Sequence, residues 1–414
     1  MFVLRQLHNK INTTVVSMSI ICLMLFMTIT ILSSALSLNN TMRKDLEDTT
    51  PVDLNLYKTA NLPENEKMSK AQIEDSRKTM IQTLEDNGFD MTKLKDVVEI
   101  PIYATNELTW RDTLSPVYDE VKQQFPNLLY ETAEEIVKVS DYNKVARLYG
   151  NIEYQLKDDE YIILCDFDNM KNLRNKALKA DSTITIAGKE YKSKYDECQN
   201  GYIYMAGSHI NNGIVLVPDS CNLTEDMKEE TFLAANYNAT TEEEKEEIEK
   251  ICTGETETEF SKNLNEKDIT IDGMTKIAII ESSLGVSTIV LFIAIYLGII
   301  FLIASSAILA LKQLTESSDN KQRYAILRKI GADEKMIKGA LFKQIGIFFL
   351  MPLILAIIHS IFGIQFVMTM MSVLADAKEL LPSAIATAVI IGVIYGAYFM
   401  ATYLGSKNII KEAE

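Results

Sequence analysis

No G-x-x-x-x-G-K-[ST] occurs anywhere in the sequence, so the chain has no P-loop with which to hold ATP. It also lacks H-E-x-x-H and G-x-S-x-G. Its three histidines, His8, His209 and His359, fall in segments that the topology below assigns to the inside, the outside and the membrane, which excludes a histidine-based catalytic pair. No C-x-x-C joins any of the five cysteines, which argues against a zinc or thioredoxin-like site. Charge is missing too, but only locally: residues 14–38, 284–311, 345–371 and 383–405 contain no Lys, Arg, Asp or Glu. Each run has the roughly 20 residues that a helix needs to cross about 30 Å of hydrocarbon.

Averages hide these runs. With 414 residues, 47% hydrophobic, and a net charge of −16, the chain would pass for a soluble protein of two or three domains. The charge is unevenly partitioned. Residues 1–38 carry Arg5 and Lys10 and no acid, and residues 284–414 carry 11 basic and 8 acidic residues. The remaining segment, 39–283, holds 28 basic and 49 acidic residues, a balance of −21. Short Lys/Arg-rich flanks stay on the cytoplasmic side, which places Arg5/Lys10, the 312–343 loop and Lys407/Lys411 inside.

The resulting architecture is an α-helical membrane protein with four transmembrane helices and a large mixed α+β extracellular domain between the first and second. The expected order is a cytoplasmic amphipathic segment (1–13), span 14–38, the extracellular domain with its stalk ends (39–283) and span 284–311. A cytoplasmic coupling segment (312–344), span 345–371, an extracellular turn (372–382), span 383–405 and a cytoplasmic tail (406–414) complete it. The first span is read as an uncleaved anchor, because the apolar run from Val15 to Leu38 outlasts the h-region of a signal peptide. Both termini are then cytoplasmic, in the plasma membrane.

The extracellular segment reads as mixed helix and strand. "KMSKAQIEDSRKTMIQTLEDNG" has helical spacing and stops at Gly88. "DVVEIPIYA" is a strand in which Pro101 requires an edge or a bulge. "EEIVKVSDYNKVARLYG" reads as a strand, an N-cap at Ser140 or Asp141, a helix, and a stop at Gly150. Further strands are expected at "EYIILCDF", "STITIAG" and "GIVLVPD", and a solvated helix over Thr240–Lys250. Four cysteines here, Cys165, Cys198, Cys221 and Cys252, permit three pairings or none. Neither end of the domain is separated from its span by a Pro/Gly break, so the spans continue outward as stalks. The acidic balance suits a cationic peptide as ligand but names none.

The most basic stretch is "KQRYAILRKIGADEKMIKGALFKQ", with seven Lys and Arg between Lys321 and Lys343 and Lys312 just upstream. It reads as a helix ending at Gly331, a tight turn, and a second helix with Asp333 and Glu334 at its positive end that runs into the third span. Orientation rules and anionic headgroups account for some of this charge. They do not account for the interleaved Tyr324, Ile326, Leu327 and Ile330.

"AILRKIGADEKMIKGALFKQ" is similar to the cytoplasmic coupling segment of FtsX-like permeases of ABC transporters. One span, a large outer domain and three further spans match their topology. "FVLRQLHNKINTT", "VSDYNKVARLYG" and "GIVLVPD" resemble the carboxy-terminal half of the bacitracin-resistance (antimicrobial peptide) type, which is about twice as long. The four-span layout also resembles the macrolide-exporter type. This resemblance implies a non-catalytic permease subunit that binds no cofactor itself, with ATP and Mg held by a separate ABC ATPase. It further implies mechanotransmission to the extracellular domain, in the service of antimicrobial peptide export, removal or resistance. Residues 321–337 then receive the ATPase, with Arg323, Leu327, Arg328, Ile330 and Gly331 carrying the contact. Expected partners are that ATPase, a second permease copy or complementary half-permease, and a sensor histidine kinase; no nucleic acid or metal is implied. The alternative reading is a membrane-anchored peptide sensor that partners such a kinase without transport.

Within the spans, Ala384, Ala388, Gly392 and Gly396 recur at four-residue intervals, and Gly392 and Gly396 are the expected helix-packing positions. Gly298 and Ser305 form a weaker stripe. His359 and Gln365, near Pro352, are expected as a buried polar contact or partners of a helix bend.

Overall fold

The computed structural model describes residues 11–63, 68–180, 183–371 and 380–411. Those outside include His8, Arg5, Lys10 and the charged residues Asp376, Lys378 and Glu379 of the expected outer turn. Contacts divide the chain into two units, one of residues up to Arg43 together with those from Gly285 onward, the other Lys44–Leu284.

In chain order the elements are α1 (Ile11–Thr49), β1 (Leu54–Thr59), α2 (Lys70–Ser76), α3 (Met80–Asp86), β2 (Leu94–Tyr103), α4 (Trp110–Thr113), α5 (Tyr118–Gln124), β3 (Glu135–Lys138), α6 (Val139–Tyr149), β4 (Glu160–Leu164) and α7 (Asp168–Lys179). There follow β5 (Thr183–Ile186), β6 (Lys189–Ser193), β7 (Ile214–Val217), β8 (Lys228–Tyr237), α8 (Glu242–Cys252), α9 (Glu259–Lys267), β9 (Asp272–Thr275), α10 (Lys276–Asp319), α11 (Lys321–Lys329), α12 (Glu334–Met371) and α13 (Leu380–Lys411).

Four helices, α1, α10, α12 and α13, have 39, 44, 38 and 32 residues and are apolar enough to span a membrane. At about 1.5 Å per residue each exceeds the hydrocarbon thickness. Their shared core joins Ile21 and Leu25 of α1, Leu302 of α10, Phe349 of α12 and Tyr395 of α13. Backbones approach most closely where a side chain is absent. A Cβ on Gly298 would meet Leu32 Cγ at 2.6 Å, and one on Gly363 would meet Phe26 at 2.7 Å. Thr28 Oγ1 donates to the Gly298 carbonyl at 3.3 Å across that contact.

The inserted domain is built on a mixed nine-stranded sheet ordered β5-β6-β4-β7-β3-β2-β8-β1-β9. The pairs β3/β7 and β4/β6 are parallel and the others antiparallel. Strand β7 shows why its sequence is a continuous apolar run: Ile214 and Leu216 enter one core, Val215 and Val217 the other. Pro101 lies in β2 beside an edge that meets β3 at Tyr103 alone, and a register shift between Lys95 and Val98 adds a bulge.

Gly88 and Gly150 both have positive φ, 87° and 73°, as helix stops. Two local expectations are corrected. The stretch ending at Gly88 is two helices, because Ser69 and Thr79 each open a capping box with Gln three residues on. Helix α6 starts one residue after Lys138, earlier than Ser140 or Asp141, because its orphan Ser140 N–H donates to the distant Asp219 Oδ1 at 3.2 Å. All described cysteines are free, and Cys165, Cys198 and Cys221 are buried in one apolar cluster.

A candidate docking segment between two spanning helices

The helix, turn and helix read from the sequence are present. Asn320 separates α10 from α11, and Gly331 turns the chain with φ 91°, a conformation costly for any residue with a side chain. The Ile326, Leu327 and Arg328 carbonyls accept from the N–H groups of Ile330, Ala332 and Gly331 at 3.1, 3.1 and 2.9 Å, closing the end of α11. Asp333 O accepts from Met336 and Ile337 at 2.9 and 3.1 Å as α12 begins.

Helix α11 is held by one face. Tyr324 is buried and donates through its hydroxyl to Gln344 Oε1 at 3.0 Å. Burial pushes that hydroxyl up to about 12, so it stays a donor at neutral pH. Leu327 packs against the helical core. Arg328 donates from Nε to Glu334 Oε1 at 2.6 Å and from Nη1 to the Ile410 carbonyl at 3.0 Å. That guanidinium holds the Glu334 carboxyl below the usual carboxylate range. Arg328 thus ties α11 to the start of α12 and the last turn of α13.

The opposite face is open. Ile326, Ile330 and Met336 are 58, 74 and 69% exposed, and Arg323, Lys329 and Lys335 are exposed around them. Of the five residues singled out from the sequence, the structure places Arg323, Ile330 and Gly331 at the surface and turns Leu327 and Arg328 inward. The 3.6-residue period carries the distinction: Tyr324, Leu327 and Arg328 share one face, Arg323, Ile326 and Ile330 another. Met336, beyond the turn, gave no periodic signal of its own. An apolar knob with a cationic rim on a pinned helix is chemically suited to a protein groove with an acidic margin.

Gly392 and Gly396 have no neighbour within 4 Å of a built Cβ; with Gly346 and Phe349 they line an apolar groove of about 370 Å³ between α12 and α13. The close contacts fall instead at Gly298, Gly363 and Gly405. His359 is exposed on α12, its Nδ1 2.8 Å from the Leu355 carbonyl one turn back, and Gln365 is exposed as well, so neither is a buried polar contact.

Four long apolar helices, a mixed sheet domain inserted after the first, and a basic helical turn between the second and third define a multi-pass membrane protein. Residues 297–413 match the family model described as FtsX-like permease C-terminal, and they constitute such a domain. Over 108 residues, 26% of this chain, it is 38% identical to the bacitracin export permease protein BceB of Bacillus subtilis, covering 16% of that protein. The BceB of Halalkalibacterium halodurans is 33% identical over 30% of this chain and 18% of its own length. A longer match, 22% identical over 72% of this chain, is to the uncharacterized ABC transporter permease YvcS of Bacillus subtilis, of which 44% is covered. The chain therefore spans less than half the length of these relatives and is distantly homologous to them.

Proposed function

We propose that this chain is the transmembrane subunit of an ABC transporter, in which a separate ATPase docks on residues 321–337 from the cytoplasm and drives motion of the inserted domain outside. The observation that carries this reading is the pairing of a pinned inner face on α11 with exposed Ile326 and Ile330 on its outer face. A helix anchored by Arg328 and Tyr324 passes a push to α12 and α13 instead of absorbing it. Two of the matched relatives are named for bacitracin export, which supports an antimicrobial peptide as the substrate. ATP and Mg belong to the partner, and a second copy or complementary half-permease completes the transporter.

Ile330→Asp tests this. It places a carboxylate on the exposed knob without touching the α11 anchors, so membrane insertion is unchanged and the P-loop ATPase that co-purifies with wild type is lost. Recovery of a histidine kinase without any ATPase would instead support a peptide sensor.

A further inference from the structure

The inserted domain contains a cavity of about 510 Å³, within the range of small-molecule sites. Trp110, Tyr202, Tyr204, Met205, Met274 and Ile279 supply apolar and aromatic wall. Glu135 and Asp166 are the charged residues lining it, and no Lys or Arg does. Asp166 is committed: its Oδ1 accepts from the Asn211 N–H at 2.7 Å and its Oδ2 lies 2.9 Å from His209 Nδ1. The Glu135 carboxylate makes no hydrogen bond or ion pair among the described residues.

The charged groups that raise the proton affinity of Glu135 share its sign. Glu134 stands immediately before it in the chain, and Glu230 and Glu229 of β8 act on it electrostatically. Tyr204 lies between, donating to Glu230 Oε1 at 2.7 Å, with Tyr57 edge-on to it at 5.7 Å and Asp272 beyond Tyr57. A fixed cation, Arg174, lies behind the cavity wall, 5.2 Å from the Trp110 ring, and its donors are engaged: Nη1 and Nη2 bind Glu134 at 2.7 and 2.9 Å, and Nε binds the Asn212 carbonyl at 2.7 Å. Gly213, at φ 145°, lets the cavity wall rest directly on that guanidinium.

We propose that this cavity is a binding site for an organic cation, a primary ammonium on an aliphatic stem, with the ammonium held by Glu135 and the stem laid along Tyr202, Tyr204 and Met205. A half-buried carboxylate with no ion-pair partner among the described residues lacks a counter-charge, and aromatic faces attract a cation that brings its own apolar stem. Burial, and then Glu230, push the Glu135 carboxyl up to about 7, and burial does the same to Glu230. Below that pH a proton occupies the carboxylate; above it the ammonium takes the proton's place. Binding therefore strengthens with rising pH.

The chain's one tryptophan, Trp110, lines this cavity and reports on it. The full chain in detergent is titrated with N-acetyl-lysinamide and with N-acetyl-norleucinamide, the neutral analogue that lacks the ammonium, at pH 6 and pH 8, following Trp110 fluorescence. The lysine probe is expected to saturate and to bind about tenfold more tightly at pH 8, as the carboxylate goes from about one-tenth to nine-tenths ionised. The norleucine probe shows no such pH step. Glu135→Gln keeps a wild-type melt or a higher one, having lost an uncompensated charge, and binds the lysine probe no better than the norleucine one. Equal binding of the two probes by wild type, no saturable response, or a pH step that survives in Glu135→Gln would overturn the proposal. None of these outcomes bears on the docking segment, which is a different part of the chain.

Discussion

Residue by residue, the inserted domain sets a buried carboxylate beside a half-buried one and treats them oppositely. Glu134 is satisfied by a bidentate pair with Arg174, both side chains almost wholly buried. Arg174→Met is expected to destabilise the domain by about 3–5 kcal/mol in chemical denaturation, because it strands a buried charge. The double variant Arg174→Met with Glu134→Leu should regain much of that loss. Glu135, one position on, has no such partner. Its raised proton affinity means the folded state binds more protons than the unfolded chain between about pH 4.5 and 7. Stability therefore falls as pH rises through that window, by a few kcal/mol at most. Glu135→Gln should flatten this slope, as read from melting temperature against pH.

At the scale of elements, single glycines decide how helices meet. Gly298→Leu drives a side chain into Leu32, and Gly392→Leu enters an open groove. The first is expected to cost about 1–3 kcal/mol in thermal stability of the purified chain, the second to be near neutral. A Gly392→Leu protein that melts normally yet loses a second copy or half-permease would show that the groove receives one. Gly331→Ala meets no neighbouring atom but must hold φ 91°, so it should cost about 1 kcal/mol or more while leaving the spans inserted.

These elements also show what can be read in advance. The spans, the stops at Gly88, Gly150 and Gly331 and the run of β7 are legible because each depends on local chemistry: uncharged length, the need for positive φ, burial on both faces. The start of α6 is not, since its N–H partner Asp219 lies 79 residues away. Nor is the inward turn of Arg328, which depends on the carbonyl of Ile410, 82 residues on. The period of α11 could have separated its two faces, but nothing local says which of them meets the bundle. The cavity around Glu135 is assembled from β3, the 202–214 segment and the start of α10, and no stretch of sequence carries it.

For the whole molecule, the account joins a cytoplasmic lever to an inserted domain through long helices, with the chemistry of ATP left to another chain. Apolar helices of this length mark a membrane protein, and the match over residues 297–413 marks its permease domain; the rest is proposed from the open face of α11. The most direct measurement is recovery of a mass-identified P-loop ATPase with the purified chain, compared between wild type and Ile330→Asp at equal membrane abundance. The account predicts an ATPase with wild type and its loss in the variant. Undiminished recovery with Ile330→Asp would contradict it.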